Sequence, residues 1–153
     1  MCSSDLASVL VATRAYLRRA GTPQQPGDLQ QHNCLHYPRS QDTPVWTFTP
    51  QGTGRVRKTA PVSVPVRGRL VANNSEALRE ACLAGAGIAL LPDFSAQDAL
   101  RKGQLLPVLS AWQVDGGFGR HLFAIRPYTA HVPRAVSALV AHLRAGLSAG
   151  FAV

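Results

Sequence analysis

The sequence predicts an α/β fold, and three local patterns support that prediction. Asn73 to Glu76 opens a helix that Gly85 ends, and the uninterrupted apolar run 88–91 follows. An apolar run directly after a helix is typical of a buried parallel strand, so residues 66–91 are expected to form a strand–helix–strand (βαβ) unit. The third pattern is an amphipathic C-terminal helix that begins at Pro133 and is expected to pack on a core. Its apolar stripe consists of Val132, Val136, Leu139, Val140, Leu143 and Leu147.

The first half of the chain predicts short strands separated by turns. Strands are expected at 9–12, 34–37, 45–48 and, at a sheet edge, 62–71. The second and third of these are expected to form an antiparallel pair, and residues 51–54 a hairpin turn from which 55–59 returns. Thr13 is placed to cap a helical turn at 14–19, whereas Pro26 and Gly27 limit residues 28–32 to one short turn.

The helix that opens near residue 74 allows two caps. Either Asn73 caps it and Glu76 reaches back, as in a capping box, or Ser75 caps it directly. Beyond the apolar run, the sequence predicts a short helix at 95–101, strands at 104–109 and 121–125, and a flexible glycine loop at 116–119.

Composition excludes several classes of protein. The chain has 153 residues, of which 46% are hydrophobic, so it can bury one core or two small lobes and is not disordered. No run of about 18 apolar residues is present to span a bilayer, and the N-terminal segment lacks the basic and apolar regions of a signal peptide. A soluble, cytoplasmic protein is expected.

Charge and cysteine usage point to anionic partners and a reducing compartment. Sixteen basic residues against eight acidic ones give a net charge of +8, which favours nucleic acid or small anions as partners. The basic residues are scattered rather than clustered into a stripe, and the arginine-rich composition is also what a GC-rich genome encodes. Cys2, Cys34 and Cys82 are odd in number and lack C-x-x-C spacing, so reduced, buried thiols are expected.

The sequence contains no recognisable catalytic or cofactor motif. Residues 85–87 begin like a dinucleotide fingerprint, but Leu90 stands at the third glycine position and a strand follows rather than a helix. His32, Cys34 and His36 alternate at metal-ligand spacing, yet no fourth ligand is evident, so no metal site is expected. We therefore expect no enzyme, no catalytic residues, no metal and no cofactor.

A series of weak motifs, taken in order and spacing, resembles a known family. The motifs lie at 9–12 with 15–17, 21–23 with 28–29, 32–35, 46–48, 68–70 with 72–74, 77–81, 85–92, 105–108 with Trp112, and 133–143. Together they resemble the C-terminal effector-binding domain of LysR-type transcriptional regulators over residues 9–147. The resemblance implies a periplasmic-binding-protein-like (type 2) effector domain in the α/β class.

The resemblance also implies a division of the chain. Residues 7–116 are expected to form the complete second lobe of the domain, and residues 117–153 to contain the C-terminal strand and helix of the first lobe. Residues 1–6 are expected to be a foreign leader, because Cys2 to Leu6 is the translation of the end of a common sequencing adapter. An authentic upstream start codon in the flanking DNA would contradict this expectation.

The function implied by the resemblance is control of transcription by a small effector bound in a cleft between the two lobes. DNA binding is expected only through the family's winged helix-turn-helix domain, which is missing here, and the parent protein is expected to be a homo-oligomer without membrane association. A solute-binding receptor of the same fold without DNA binding is the alternative, which the upstream sequence would decide.

The residues themselves point to a place for that effector. Free backbone N–H groups and the positive end of the helix dipole favour an anion at the helix start after Val71. Asn73, Asn74 and Ser75 are therefore the predicted effector-binding residues, and simple helix capping is the competing interpretation of the same three residues.

Overall fold

A computed structural model describes residues 6–38, 44–51, 60–115, 125 and 132–147, and the α/β class is confirmed. The strands are β1 (Ser8–Ala12), β2 (Cys34–Leu35), β3 (Val45–Pro50), β4 (Val62–Pro65), β5 (Ile88–Pro92), β6 (Leu106–Pro107) and β7 (Trp112–Asp115). The helices are α1 (Arg14–Ala20), α2 (Ser75–Leu83), α3 (Asp93–Arg101) and α4 (Arg134–Leu147), with a 3-10 helix at Pro26–Gln31. Thr13 caps α1 as predicted, since its side chain accepts a hydrogen bond from the Tyr16 N–H.

A four-stranded sheet forms the centre of the molecule, in the order β2-β5-β1-β6. β5 pairs parallel with β2 and antiparallel with β1, and all of its residues are buried. The predicted buried parallel strand is therefore confirmed. Its uninterrupted apolar sequence is what a strand covered on both faces requires.

A second sheet has the order β4-β3-β7, with all pairs antiparallel. The predicted pairing of residues 34–37 with 45–48 is wrong, because β2 belongs to the first sheet and β3 to the second. In β3 the inward residues Trp46 and Phe48 lie opposite Val64 and Val114 on the neighbouring strands. β4 is an edge strand as predicted, but it is shorter than expected and ends at Pro65.

The predicted βαβ unit is also wrong in its first strand. β4 and β5 lie in different sheets, and the chain between β4 and α2 crosses from one sheet to the other. Along the way it runs beside β2, where the Cys34 N–H donates to the Arg67 carbonyl and Val71 forms a parallel bridge with His36. Gly68 permits this approach, because a Cβ there would clash with the backbone carbonyl of Cys34. The parallel partner of β5 is therefore β2.

The two faces of the central sheet carry two separate hydrophobic clusters. One lies between the two sheets and contains Leu10, Trp46, Phe48, Ile88 and Leu90. The other lies under α2 and α3 and contains Val11, Leu35, Leu78, Ala89 and Leu91. The alternation along β1 and β5 divides their side chains between the two clusters, as the period of a strand demands.

α4 confirms the predicted C-terminal helix but not its packing. It begins at Arg134, and the carbonyl of Pro133, just before it, accepts a hydrogen bond from the Ser137 N–H. None of its residues is buried, and Leu139 and Leu143 are 57% and 43% exposed. Core packing of the stripe is not seen in the described part of the chain, where the described helices and the second sheet already cover both faces of the central sheet.

Several of the remaining elements differ from the prediction at their ends, and β7 was not predicted as a strand. α3 begins two residues earlier than expected, and β6 occupies only two residues of the predicted 104–109 strand. The turn at 51–54, the return at 55–59, the loop at 116–119 and the strand at 121–125 lie largely outside the described residues, as do residues 1–5. Ile125, which is described, is in no strand and is 92% exposed. Within the described part of the chain, no helix combines the length and apolar character needed to cross a membrane.

Candidate functional site

The start of α2 lies at the carboxyl edge of the parallel strands in the central sheet. His36 directly follows β2 and bridges to Val71, so residues 72–75 pass just beyond the end of β2. α3 begins at the same edge, immediately after β5 ends at Pro92. Ligands of open α/β sheets bind in the crevice outside the carboxyl ends of the strands, so this edge is the candidate functional site.

Asn74 caps α2, so both predicted caps are wrong. The Asn74 Oδ1 accepts hydrogen bonds from the N–H groups of Glu76, at 2.7 Å, and Ala77, at 3.3 Å. Asn74 has the extended backbone that a cap requires, whereas Ser75 is already the first helical residue and Asn73 lies one residue too early. The capping interpretation is therefore correct for Asn74.

The side chains of Asn73 and Ser75 are placed differently from that of Asn74. Asn73 is exposed and Ser75 is partly exposed. Within the described residues, no hydrogen bond engages the Asn73 side chain, the Ser75 hydroxyl or the Ser75 N–H. The structure thus brings the three predicted residues together at the edge and leaves two of them with hydrogen-bonding capacity.

The start of α3 differs from the start of α2, because the carboxylate of its own first residue, Asp93, lies there. Asp93 is 2% exposed, and its side chain accepts hydrogen bonds from the N–H groups of Phe94, at 2.8 Å, and Ala7, at 3.1 Å. This carboxylate therefore binds one N–H group in the first turn of α3 and the N–H group of Ala7, the residue just before β1. At the start of α2, the Ser75 N–H has no hydrogen bond among the described residues, so it keeps capacity for an external anion.

Exposed apolar side chains that the sequence did not predict lie at the same edge. Val71 is 48% exposed, Phe94 41% and Leu70 37%. Phe94 follows β5 by two residues and Val71 bridges to the residue after β2, which places both near the strand ends. An apolar residue two positions after a buried strand was the available signal. The edge therefore combines polar groups with uncovered apolar surface.

Asn74→Ala is expected to lower the free energy of unfolding by about 1 kcal/mol, because it removes the cap of α2 and leaves two N–H groups without their partner. Thermal or urea unfolding measures the change. Asn73→Ala is the matched control, since its side chain caps nothing and its replacement is expected to change stability by less than about 0.5 kcal/mol. Equal losses in the two variants would contradict the assignment of the cap.

The three candidate metal ligands have other roles. The Asn33 N–H donates to the Tyr16 hydroxyl, whose oxygen also lies 3.1 Å from the His32 Nδ1, within hydrogen-bond distance. The His36 Nδ1 donates to the carbonyl of Cys34, whose thiol donates to the Leu29 carbonyl. In the described ranges, no group of three or more ligating side chains is close enough to hold a metal ion.

Asn33 connects this hydrogen-bond network to the rest of the fold. Its side-chain oxygen accepts from the Arg69 N–H at 2.8 Å, and its side-chain nitrogen donates to the Ala86 carbonyl at 2.6 Å. The network of Tyr16, His32 and Asn33 therefore joins α1, the crossing segment after β4 and the loop before β5. Its role is structural.

The two described cysteines are buried and free, as predicted. Burial raises the pKa of each thiol, in Cys34 and in Cys82, to about 12, so both remain protonated at neutral pH. The Cys82 thiol lies within hydrogen-bond distance of the carbonyls of Val11 and Gly87. Both cysteines act as small core residues.

Stability is expected to fall as the pH drops below about 6.5, partly through His32. Burial lowers the pKa of His32 below its ordinary value, although nearby Asp28 opposes the shift. The unfolded chain therefore takes up a proton first, so this stability is present above the unfolded pKa and is lost as the pH falls toward the folded pKa. Urea unfolding at a series of pH values measures the effect.

The matched comparison for this prediction is His32→Gln, which lacks the titrating ring. Its loss of unfolding free energy between pH 7.5 and pH 5.5 is expected to be smaller than that of the unchanged chain. Identical pH profiles for the two proteins would show that His32 contributes nothing to the dependence.

The fold defines the class of protein: an α/β domain of the periplasmic-binding-protein-like (type 2) kind. Residues 5–148 match the model of the LysR substrate binding domain. The regulatory domain of AphB in Vibrio vulnificus superposes with a TM-score of 0.69 at 26% identity, over 92% of this chain and 66% of that one. The chain therefore belongs to the LysR substrate-binding domain family of transcriptional regulators.

Curated relatives agree with this assignment. The HTH-type transcriptional regulator PtxR of Pseudomonas aeruginosa is 35% identical over 142 residues, which are 92% of this chain and 42% of PtxR. The HTH-type transcriptional regulator CrgA of Neisseria meningitidis is 32% identical over 101 residues, 66% of this chain and 31% of CrgA. The chain thus spans less than half the length of these relatives, whose names describe regulators.

Proposed function

We propose that this chain is the effector-binding part of a longer DNA-binding transcriptional regulator and is not an enzyme. Residues 7–116 correspond to the second lobe, and residues 117–153 supply the C-terminal strand and helix of the first lobe. The family match and the share of the relatives that the chain covers support this proposal. DNA binding belongs to a winged helix-turn-helix domain outside the chain, and the parent regulator is a cytoplasmic homo-oligomer.

The effector is a small anion held at the start of α2. This placement of the effector rests on the position of the helix start, which lies at the carboxyl edge of β2 and β5. The Ser75 N–H, the Ser75 hydroxyl and the Asn73 side chain at this helix start can still form hydrogen bonds with a ligand. The positive end of the helix dipole adds attraction for a carboxylate. Phe94 and Val71 offer apolar contacts to the rest of the molecule.

The carboxylate of Glu76 opposes the binding of an anion, so a substitution of Glu76 tests the charge of the effector. Glu76 is exposed and lies in the first turn of α2, so its carboxylate repels an anion bound at the helix start. Glu76→Gln is therefore expected to strengthen binding of an anionic effector, whereas a neutral effector would be indifferent to the change.

The test is a thermal-shift screen of small carboxylates on the full-length parent regulator. Ser75→Ala is expected to leave the Tm without ligand nearly unchanged, because Asn74 is the cap, and to weaken the binding of a hit by about 2- to 12-fold through the loss of one hydrogen bond. Ser137→Ala, an exposed serine in α4, is the matched control. If Ser75→Ala and Glu76→Gln both leave the ligand-induced rise in Tm unchanged, the effector does not bind at this helix start.

The proposed division also predicts how the chain behaves alone. The apolar stripe of α4 needs a surface to pack against, and the remainder of the first lobe supplies that surface in the parent protein. Without that cover, the 153-residue chain is expected to self-associate, because each apolar side chain gains roughly 1.5–3 kcal/mol from burial. Sedimentation velocity should show a mass that increases with concentration.

Replacing Leu139 and Leu143 together by serine is expected to restore a monomer, because these are the most exposed leucines of the stripe. Strong hydrogen-exchange protection of residues 136–147 in a strictly monomeric sample of the unchanged chain would contradict the prediction, since α4 would then already be covered.

A further inference from the structure

Four arginines from two distant parts of the sequence lie around one loop, at the end of the central sheet opposite the α2 start. Arg14 and Arg18 belong to α1, and Arg67 and Arg69 belong to the segment that crosses from β4 to α2. The loop comprises residues 84–87 and joins the end of α2 to the start of β5. These four residues form the arginine patch.

Contacts of α1 place its two arginines beside this loop. The hydroxyl oxygen of Thr13, the residue before Arg14, lies 3.6 Å from the place that a Cβ on Gly85 would take. Near the other end of α1, the Arg19 guanidinium donates to the Gly85 carbonyl at 3.0 Å. Arg14 and Arg18 are four residues apart and therefore lie on one face of the helix.

Asn33 holds the crossing segment at the same loop. Its side-chain nitrogen donates to the Ala86 carbonyl at 2.6 Å, and its side-chain oxygen accepts from the Arg69 N–H at 2.8 Å. The next residue, Cys34, donates its N–H to the Arg67 carbonyl at 2.9 Å. One side chain thus connects the loop to the segment that carries Arg67 and Arg69.

The four side chains are exposed and carry an uncompensated positive charge. Within the part of the chain that the structure describes, no hydrogen bond, ion pair or ring contact engages their guanidinium groups, and the one ion pair joins Arg79 to Glu80. Arg19 differs from them, because its guanidinium contacts the Gly85 carbonyl and the Tyr16 ring. Four unpaired cations around one loop complement an anionic partner.

The surroundings of the patch favour double-stranded nucleic acid as that partner. Protein interfaces have an apolar centre, whereas interfaces with DNA are polar and strongly positive. None of the exposed large hydrophobic residues lies in α1, in 67–69 or in 84–87. Single strands need exposed aromatic rings on which bases stack, but the one aromatic residue of these segments, Tyr16, is buried. Guanidinium groups also match the geometry of phosphate.

We infer that the arginine patch binds the phosphate backbone of double-stranded DNA without reading its sequence. The patch and the α2 start lie at opposite ends of the parallel strands, so this contact leaves the proposed effector site free. In the parent regulator it adds to the binding by the DNA-binding domain outside the chain, and that addition rests on the proposed function. The contact itself is a property of this chain alone.

The experiment measures binding of the 153-residue chain to a labelled duplex of arbitrary sequence by fluorescence anisotropy. Between about 50 and 200 mM NaCl, binding is expected to weaken steeply, because each arginine–phosphate contact releases a counterion. The double variant Arg14→Gln, Arg18→Gln is expected to weaken binding at low salt by about tenfold and to reduce the slope of log K against log salt by about 2. The double variant Arg67→Gln, Arg69→Gln is expected to do the same.

Arg134→Gln, Arg144→Gln is the matched control, because it removes two exposed arginines from α4, which is not part of the patch. It is expected to leave binding nearly unchanged. All three double variants are expected to keep the Tm of the unchanged chain, so a loss of binding reports a lost contact. Single-stranded DNA of the same length and poly-L-glutamate are both expected to bind the unchanged chain more weakly than the duplex.

Three results would overturn the inference. The first is the absence of detectable binding to the duplex at low salt. The second is an equal effect of the patch variants and the α4 control. The third is tighter binding of single-stranded DNA or of poly-L-glutamate than of the duplex, which would assign the patch to a different partner. None of these results bears on effector binding at the α2 start, so failure here is distinct from failure of the proposed function.

Discussion

Phe48→Ala is expected to lower the free energy of unfolding by about 3–5 kcal/mol. Phe48 is fully buried in the cluster between the two sheets, and its Cα partners are Val62 on one side and Val114 on the other. The truncation deletes a large apolar side chain from the core. It leaves a cavity that the three paired strands cannot fill by relaxing. A domain of this size has roughly 5–15 kcal/mol of stability, so the variant would be close to unfolded at moderate urea.

Urea unfolding followed by circular dichroism measures this loss. Phe94→Ala is the matched control, because the same truncation is made at a phenylalanine that is 41% exposed. It is expected to cost less than about 1 kcal/mol. Equal costs at the two positions would mean that the cluster between the sheets is not closely packed.

Gly87→Ala is expected to be the second most damaging change, at about 3 kcal/mol. A Cβ at this position would lie 2.1 Å from the Asn33 carbonyl oxygen, far inside van der Waals contact. That oxygen cannot easily move, because it accepts a hydrogen bond from the Ile88 N–H at 2.9 Å and precedes the parallel pair of β2 and β5. Relief of the clash would separate these strands.

Gly27→Ala is the control for the glycine effect. Among the described residues other than its chain neighbours, no atom lies within 4 Å of the place that a Cβ on Gly27 would take. Gly27 also does not have a positive φ, so alanine fits there. The change is expected to alter stability by less than about 1 kcal/mol, and in the favourable direction, since alanine restricts the unfolded chain. If Gly87→Ala is tolerated as well as Gly27→Ala, the close approach of Gly87 to Asn33 is not needed for the fold.

The candidate site was predictable in position but not in detail. Asn73, Asn74 and Ser75 were identified as a helix start, and that placement is correct. All three are residue types that cap helices well, and the backbone dihedrals of Asn74 decide which one does so. Whether these residues bind an effector stays a prediction. Phe94 and Val71 were missed, because exposure at a sheet edge depends on which strands are neighbours.

The wrong strand pairings have one cause. Residues 34–37 and 45–48 are close in sequence and both strand-like, so a hairpin was the simplest prediction. The segment after β4 instead follows β2, and Gly68 and Arg67 make the contacts that bring it there. Such contacts join residues about thirty positions apart, and no local pattern reports them.

The sequence by itself determined the α/β class, the order of the main elements, the burial of β5, the helicity of α4 and the family. The tertiary structure alone decided which strands share a sheet and which residue caps α2. Periodicity shows which face of a helix or strand is apolar, because side-chain direction follows from local backbone geometry. It does not show what covers that face, because the cover comes from residues distant in sequence.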